Sequence, residues 1–472
     1  MAYKAEFKTT FEPSKIIQPI YTGGSVALSQ DGRVLAACVG EDVLLSDLST
    51  GAHLARIEGD GEAITILALA PDASFVTLCS RSLSMRIFAL SPSEDAIETQ
   101  LVRSLKPHTA PVVTATVDST GTLLATGGAD GVVKVEISAS DPKHKSRKRK
   151  SRSGSEDTID GLPTETTVGF RLASGGEDGR IRVWDLHKSK SIAVLESHVS
   201  VVRSLDFSSE QNVLLSASRD KTAIAWDAKS WQVRSTVPVL EELESAGFVA
   251  NGEYFYTGGE TARIRIWDLG GNERTREQEA GVETEAILDV LHYPSLSFLL
   301  SVHADQTLVL HSLGPLDEGL EAGVLSPLPV MRRISGTHDE VIDLAYVGTD
   351  KSLLALATNL EDIRLISLDS AEGATEDATR APYFGADVGL LKGHTDIVIT
   401  LDTDWSGHWL ATGAKDNNAK LWRLDPANSS YTCYATFTGH AESISAVALP
   451  HAIPTAGSQA YNKPLEHPPP SS

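Results

Sequence analysis

Apolar and polar positions along this chain fall into one recurring phrase. In "LASGGEDGRIRVWD" (172–185), "LSASRDKTAIAWD" (215–227), "YTGGETARIRIWD" (256–268) and "LATGAKDNNAKLWR" (410–423), a strand rich in small residues runs into a polar turn and then into an apolar strand that ends at Trp. Strand-length runs separated by tight turns predict hairpins of two short strands. Two copies carry an upstream His, His198 in "ESHVSVVRSLDF" and His394 in "KGHTDIVITLDT". His198 stands 28 residues before Trp226, and His394 stands 28 residues before Trp422. A spacing shared to the residue marks a repeated structural unit.

The same ruler finds weaker copies. It runs from Asp60 to Phe88 in "MRIFAL", from His108 to Glu136, and from His338 to Ile366 in "IRLISL"; strand register adds Ser46 in "LLSDL" and His311 in "LVLHSL". Trp-equivalent positions therefore fall at 46, 88, 136, 184, 226, 267, 311, 366 and 422, seven of them before residue 312. A Gly/Pro-rich connector, "GPLDEGLEAGVLSPLP", follows. Two more units come next, and then another start, "TGHAESISAVALP", whose ruler from His440 ends on Pro468 among three prolines that cannot continue a strand ladder.

This pattern resembles the WD40 repeat, in which each unit supplies one four-stranded blade of a β-propeller. The resemblance implies an all-β fold: a seven-bladed WD40 propeller over 1–315, a linker at 316–335, the first blades of an incomplete second propeller over 336–450, and a Pro-rich disordered tail at 451–472. It also implies a hydrogen-bonded set of His198, Ser216, Asp220 and Trp226 inside one blade, and of His394, Thr412, Asp416 and Trp422 inside another. A buried imidazole, hydroxyl and indole N–H each need a partner, and a buried carboxylate meets the need of the imidazole. The same residue types could form a Ser/His/Asp catalytic triad, but a set that recurs with the repeat behaves as a structural device. "GGADG" and "GGEDG" read as hairpin turns, because neither Lys-Ser/Thr nor a helical pattern follows them.

One blade pair reads as damaged. After "GGADGVVKV" a full repeat would supply Trp-Asp, a closing strand, a Gly-His turn and the next inner strand before "RLASGGEDGRIRVWD". Only residues 136–170 intervene, and most of them are a basic, disordered insert (138–166). A strand–turn–strand unit is missing after Val135; the alternative is a naturally irregular blade with a long loop.

Composition changes the picture in two places. The net charge of −22 argues against a general phosphate-binding surface. Yet "KHKSRKRKSR" (143–152) holds seven of the 41 Lys and Arg residues, against 63 acids in the whole chain. The cluster of Lys143, Lys145, Arg147, Lys148, Arg149, Lys150 and Arg152 reads as a nuclear-import signal ahead of an RNA contact or a plain solvated loop, since no aromatic residues lie nearby to stack bases. Ser153 and Ser155 stand before acids as candidate phosphosites. No apolar run reaches membrane-span length, which points to an intracellular address. Cys38, Cys79 and Cys433 read as buried small apolar residues. No metal-ligand spacing, nucleophile elbow or carboxylate pair stands apart from the repeat, so no catalytic residue, cofactor, metal or small-molecule substrate is expected.

Longer phrases narrow the family. "FRLASGGEDGRIRVWDLHKSKSIAVLESHVSVVRSLDFS", "SVHADQTLVLHSL", "RRISGTHDEVIDLAYVG", "DWSGHWLATGAKDNNAKLWRLD" and "CYATFTGHAESISAVALP" together look like the transducin-beta-like-three family, known in fungi as U3 small nucleolar RNA-associated protein thirteen. The resemblance implies a non-catalytic, nucleolar scaffold of the small-subunit processome acting in 18S rRNA and 40S subunit biogenesis. Its implied partners are other WD40 subunits, with U3 RNA and precursor ribosomal RNA met directly or through the complex. The chain then looks like the front part of a tandem-propeller protein. A WD40 adaptor unrelated to ribosome assembly is the alternative.

Overall fold

The computed structural model describes residues 19–93, 96–137, 171–186, 188, 190–275, 285–317, 328–335, 340–368, 387–428 and 430–468. The basic cluster 143–152, Ser153, Ser155, Thr337 and His338 lie outside them.

Antiparallel strands form nine successive units, numbered here in chain order: 26–57, 64–105, 112–137, 171–196, 202–238, 243–268, 287–335, 341–391 and 398–437. Within each unit every strand pairs with its neighbour in sequence, so each unit is an up-and-down meander. Units three, four and six have three strands among the described residues, and the others have four. The second strands explain their small-residue composition. Every residue of Phe75–Ser80, Val213–Ser218 and Trp409–Ala414 is buried, because both faces of the sheet are covered by neighbours.

The 28-residue ruler has a direct structural meaning. Positions 46, 88, 136, 226, 267, 311, 366 and 422 sit in the third strand of their units and position 184 in the second described strand of unit four; they lie opposite Leu35, Val76, Leu124, Leu214, Phe255, Leu299, Leu354, Leu410 and, for 184, Leu172. In units with a fourth strand the outer ladder slips immediately before this position, as between Ala225 and Trp226 or Leu421 and Trp422. A bulge there adds twist and re-aims the side chain. The turn between second and third strands needs a left-handed residue. Gly131 (φ 75) and Gly179 (φ 76) adopt it freely, whereas at Lys221 (φ 71) the flanking hairpin imposes it.

Among the described residues seven apolar cores form, each between two units. They join one to two (Leu45, Leu78), two to three (Met85, Leu124), four to five (Ile181, Trp226), five to six (Leu215, Phe255), six to seven (Ile266, Leu299), seven to one (Leu300, Leu35) and eight to nine (Leu365, Trp422). The seventh unit thus returns to the first, as a propeller requires. Ser295 Oγ donates to Gln30 O at 2.7 Å and Arg332 Nη1 to Leu48 O at 2.9 Å across that closure.

The third and fourth units lack such a joint: among the described residues no apolar core links them. Among the described residues, unit three has its inner strand Val112–Val117 and ends at Val133–Ile137, and unit four begins at Arg171–Gly175. Residues 138–170, between these two strands, lie outside the described residues. Phe207 and Phe248 hold equivalent positions, opposite Leu214 and Phe255, yet Phe248 is 8% exposed and Phe207 is 52% exposed. Val133 stands where Ala223 stands two units later, and it is 36% exposed against 0%.

Units seven and eight share an edge. Arg333 in the outer strand Val330–Ser335 pairs with Asp387 in the outer strand Asp387–Leu391, and Arg364 Nη2 in unit eight lies 3.8 Å from Asp305 Oδ2 in unit seven. Three expectations change here. The stretch 316–335 is not wholly a linker, because Val330–Ser335 is the fourth strand of unit seven. The tail at 451–472 is not wholly disordered. Gln459–Asn462 is helical, Tyr461 stacks on Trp405 at 6.0 Å, and Trp409 Nε1 donates to Pro464 O at 2.8 Å, because aromatic stacking and a backbone carbonyl can anchor a stretch that joins no ladder. Cys433 is exposed while Cys38 and Cys79 are buried, because it lies on the outer strand Ser430–Phe437, most of which faces solvent.

Candidate functional site

The repeat's polar residues meet between strands. In unit five, His198 Nδ1 lies 2.8 Å from Asp220 Oδ2, His198 Nε2 lies 2.8 Å from Ser216 Oγ, and Trp226 Nε1 donates to Ser216 Oγ at 2.9 Å. Unit nine repeats the set: His394 Nδ1 to Asp416 Oδ2 at 2.9 Å, His394 Nε2 to Thr412 Oγ1 at 2.7 Å, and Trp422 Nε1 to Thr412 Oγ1 at 3.0 Å. The donors fix the direction. A carboxylate only accepts, so Nδ1 carries its proton; Nε2 then accepts from the hydroxyl, and the hydroxyl accepts from the indole. Each imidazole, hydroxyl and indole finds a partner within its set.

Burial and hydrogen bonding oppose one another at Asp220. Burial alone would raise its pKa, but hydrogen bonds from Thr222, the Val199 N–H and His198 bring it below the usual value. Asp416 behaves alike, with His394 and the N–H groups of Asn418 and Thr395 outweighing burial. Burial pushes the His394 imidazole down against the pull of Asp416. Ser216 and Thr412 expose no surface, and each accepts the indole N–H, so neither hydroxyl can meet a substrate.

A third set escaped the sequence reading. His108 Nδ1 lies 3.1 Å from Asp130 Oδ1 and His108 Nε2 lies 3.0 Å from Thr126 Oγ1 in unit three. The His-to-hydroxyl and His-to-Asp separations, 18 and 22 residues, are those of His198 and would have found it; only the indole is lacking, Glu136 standing in its place. Unit four keeps the other half. Trp184 Nε1 donates to Ser174 Oγ at 2.9 Å, and no His is there to join Asp178 among the described residues. In unit two, Asp60 Oδ2 takes the hydroxyls of Ser80 and Ser82 at 2.6 and 2.7 Å.

Unit seven solves the same problem with two imidazoles. His303 Nδ1 faces Glu285 O at 3.0 Å, and since a carbonyl only accepts, this nitrogen holds the proton. His303 Nε2 then accepts from Ser301 Oγ at 2.9 Å, and His311 Nε2, in the indole's place, donates to Ser301 Oγ at 3.0 Å. Burial pushes His311 down to about 4, with His303 beside it adding to the shift, and burial lowers His303 too.

The sequence reading also missed a carboxylate device on the inner strands. Asp206 accepts the Phe207 N–H through Oδ1 at 2.8 Å and the Phe248 N–H of the next unit through Oδ2 at 2.7 Å. Asp343 bridges Leu344 and Leu401 at 2.9 and 2.8 Å, and Asp402 bridges Thr403 and Leu449 at 3.0 and 2.6 Å. Leu449 thereby takes the place of a next unit's inner strand, with Ile444 buried beside it. A lone Asp within an apolar inner strand, as in "SLDFS", "VIDLAYV" and "ITLDTD", is the signal that marks these positions.

Meandering sheets packed in succession and closed from unit seven to unit one, with a His, hydroxyl, Asp and indole set complete in units five and nine, define a WD40-type propeller. The family model for the WD domain, G-beta repeat, matches residues 99–135, 153–185, 189–227 and 385–423, and its first match stops at Val135. The chain is a WD40-repeat protein. It is similar to transducin beta-like protein 3 of Bos taurus, at 30% identity over 93% of this chain and 52% of that protein, and to U3 small nucleolar RNA-associated protein 13 of Saccharomyces cerevisiae, at 31% over 95% and 54%. It therefore spans about half the length of the relatives it matches. Similarity to anaphase-promoting complex subunit cdh1 of Dictyostelium discoideum is 23% over 55% of this chain and 35% of that protein.

Proposed function

We propose that the chain acts as a non-catalytic scaffold of the small-subunit processome, in nucleolar processing of precursor ribosomal RNA toward 18S rRNA and the 40S subunit. The observation that carries this reading is the span of the likeness. Identity to the U3-associated yeast protein extends over 95% of this chain, through damaged repeats and connectors alike, whereas likeness to the anaphase-promoting subunit covers little more than half of it. Scaffolding also suits the chemistry, since the Ser/His/Asp sets are buried and committed to holding strands together.

Other WD40 subunits are the expected neighbours. U3 RNA and precursor ribosomal RNA would be met directly or through them, because a body of net charge −22 repels phosphate in general. Entry to the nucleus falls to the basic cluster around Lys148, Arg149 and Lys150. Affinity purification of the tagged chain from cells tests the reading. U3 RNA and nucleolar WD40 subunits should be enriched over other small nuclear RNAs, and the Lys148→Ala, Arg149→Ala, Lys150→Ala variant should stay in the cytoplasm. Cullin-type partners without U3 RNA would replace this function with the adaptor reading.

A further inference from the structure

Unit nine departs from the repeat at one end. Its second strand opens on Trp409, opposite Arg423, at a position that holds no indole in any other unit; Val34, Val213 and Leu353 stand there in units one, five and eight. Four residues earlier, in the turn from the inner strand, comes Trp405, where no other unit has an aromatic residue. The repeat folds elsewhere without either side chain. A buried indole needs an acceptor for its N–H. Trp409 is 1% exposed, and its Nε1 donates outside the unit, to Pro464 O at 2.8 Å. Trp405 also finds its partner there: the Tyr461 ring lies 6.0 Å away and within 1° of parallel. Tyr434, on the outer strand, meets Trp409 edge-on at 5.1 Å and walls the site on that side.

The segment that carries Tyr461 and Pro464 is tethered at its start. The Leu449 N–H donates to Asp402 Oδ2 at 2.6 Å, and the Trp405 N–H donates to Pro450 O at 3.3 Å. Further along, the segment shapes itself. Ser458 Oγ accepts the Tyr461 N–H at 3.3 Å, the Asn462 N–H reaches Ser458 O at 3.0 Å, and Lys463 Nζ pairs with Glu466 at 3.0 Å. Helical turns place groups three residues apart on one side, so the ring of Tyr461 and the carbonyl of Pro464 arrive together. Yet the hold is slight. No residue of 451–468 is buried, and among the described residues from Ala452 to Pro468 the one hydrogen bond from the rest of the chain is that of Trp409. A segment with so few buried contacts opens at low cost.

We propose that Trp405 and Trp409 form a peptide-binding site that reads an aromatic side chain and the backbone carbonyl three residues after it, and that Tyr461–Pro464 fills this site as a releasable strap. The strap's own sequence, "SQAYNKPLE" (458–466), defines the ligand class: a short turn of the form Ser-x-x-Tyr-x-x-Pro. Trp405 supplies the stacking face and Trp409 the donor. The tether at Leu449 keeps the strap at a high effective concentration, so the intact chain inhibits itself against the same motif offered by another molecule. The site stands independently of the processome role.

Unlatching the strap tests this. Tyr461→Ala removes the stacked ring and leaves the sheet of unit nine intact, since Tyr461 is 43% exposed and lies outside that sheet. A fluorescein-labelled peptide of residues 456–468, "AGSQAYNKPLEHP", is titrated against the full chain by fluorescence anisotropy. It should bind the Tyr461→Ala chain saturably at one site, at least tenfold more tightly than the native chain, and should move the variant's Trp emission back toward the native spectrum. Adding Trp409→Phe, which keeps a ring but deletes the donor, should weaken binding about tenfold, and adding Trp405→Ala should do the same. A peptide with Ala in place of its Tyr should not bind. Absence of saturable binding to the Tyr461→Ala chain overturns the proposal, as does equal affinity for the native and Tyr461→Ala chains, or binding that survives both Trp changes.

Discussion

Replacing Trp226 with Ala should cost about 3–5 kcal/mol of folding stability, the range for deleting a buried large aromatic side chain. Trp226 is buried in the core that joins units four and five, and its indole holds Ser216. The same replacement at Trp184 should cost clearly less. Trp184 makes the same hydrogen bond to Ser174, but it is only partly buried. Replacing His198 with Ala falls between the two, at roughly 1–3 kcal/mol, because it leaves the Ser216 hydroxyl and the Asp220 carboxylate without their shared partner. Denaturant melts of the three variants check the order. Equal losses at Trp184 and Trp226 would mean that unit four is covered after all.

Acid should loosen the ring at its closure before it attacks the carboxylates. His311 sits in unit seven with a folded pKa of about 4 against an ordinary 6.5, so below pH 6.5 the unfolded chain binds a proton that the folded chain refuses. Stability is therefore full above pH 6.5 and falls as pH drops toward 4, by roughly 3 kcal/mol from this group alone. The lowered carboxylates act in a separate window. Asp47, held near 2 against its burial by Ser49, Thr50 and Arg33, adds stability that disappears only as pH falls from its unfolded value of 3.8. Melts from pH 7.5 to 4 read the histidine window. The His311→Phe variant should begin less stable, having lost a donor to Ser301, and should show a shallower slope. An unchanged slope would remove His311 as its source.

Much of this was legible because the repeat fixes position by counting. The 28-residue spacing, the repeated Trp phrase and, for Ser46 and His311, strand register located nine equivalent sites, including Ser46 and Glu136, where nothing in the residue type suggested an indole site. The sets at His198 and His394 were readable because each keeps all four residues. The His108 set hid because Glu136 removed its most visible member. Unit seven hid for a different reason: its imidazole comes from His303, on the same strand as Ser301, instead of from the preceding turn. The bridging carboxylates left only one signal, an Asp in each inner strand, because Asp206, Asp343 and Asp402 bond to backbone N–H groups, which any residue supplies, so no second residue type repeats with them. The extent of unit seven was misjudged where a Gly/Pro-rich stretch ran into Val330–Ser335, whose polar half, "RRIS", carries no repeat phrase.

Hydrogen–deuterium exchange across the second strands tests the central claim, a ring closed between units seven and one. Amides of Val213–Ser218 and Leu35–Val39, inside complete sheets, should exchange slowly. Amides of Phe298–His303, at the closure, should be protected to the same degree. Exchange there orders of magnitude faster than in Val213–Ser218 would contradict a ring closed from unit seven to unit one.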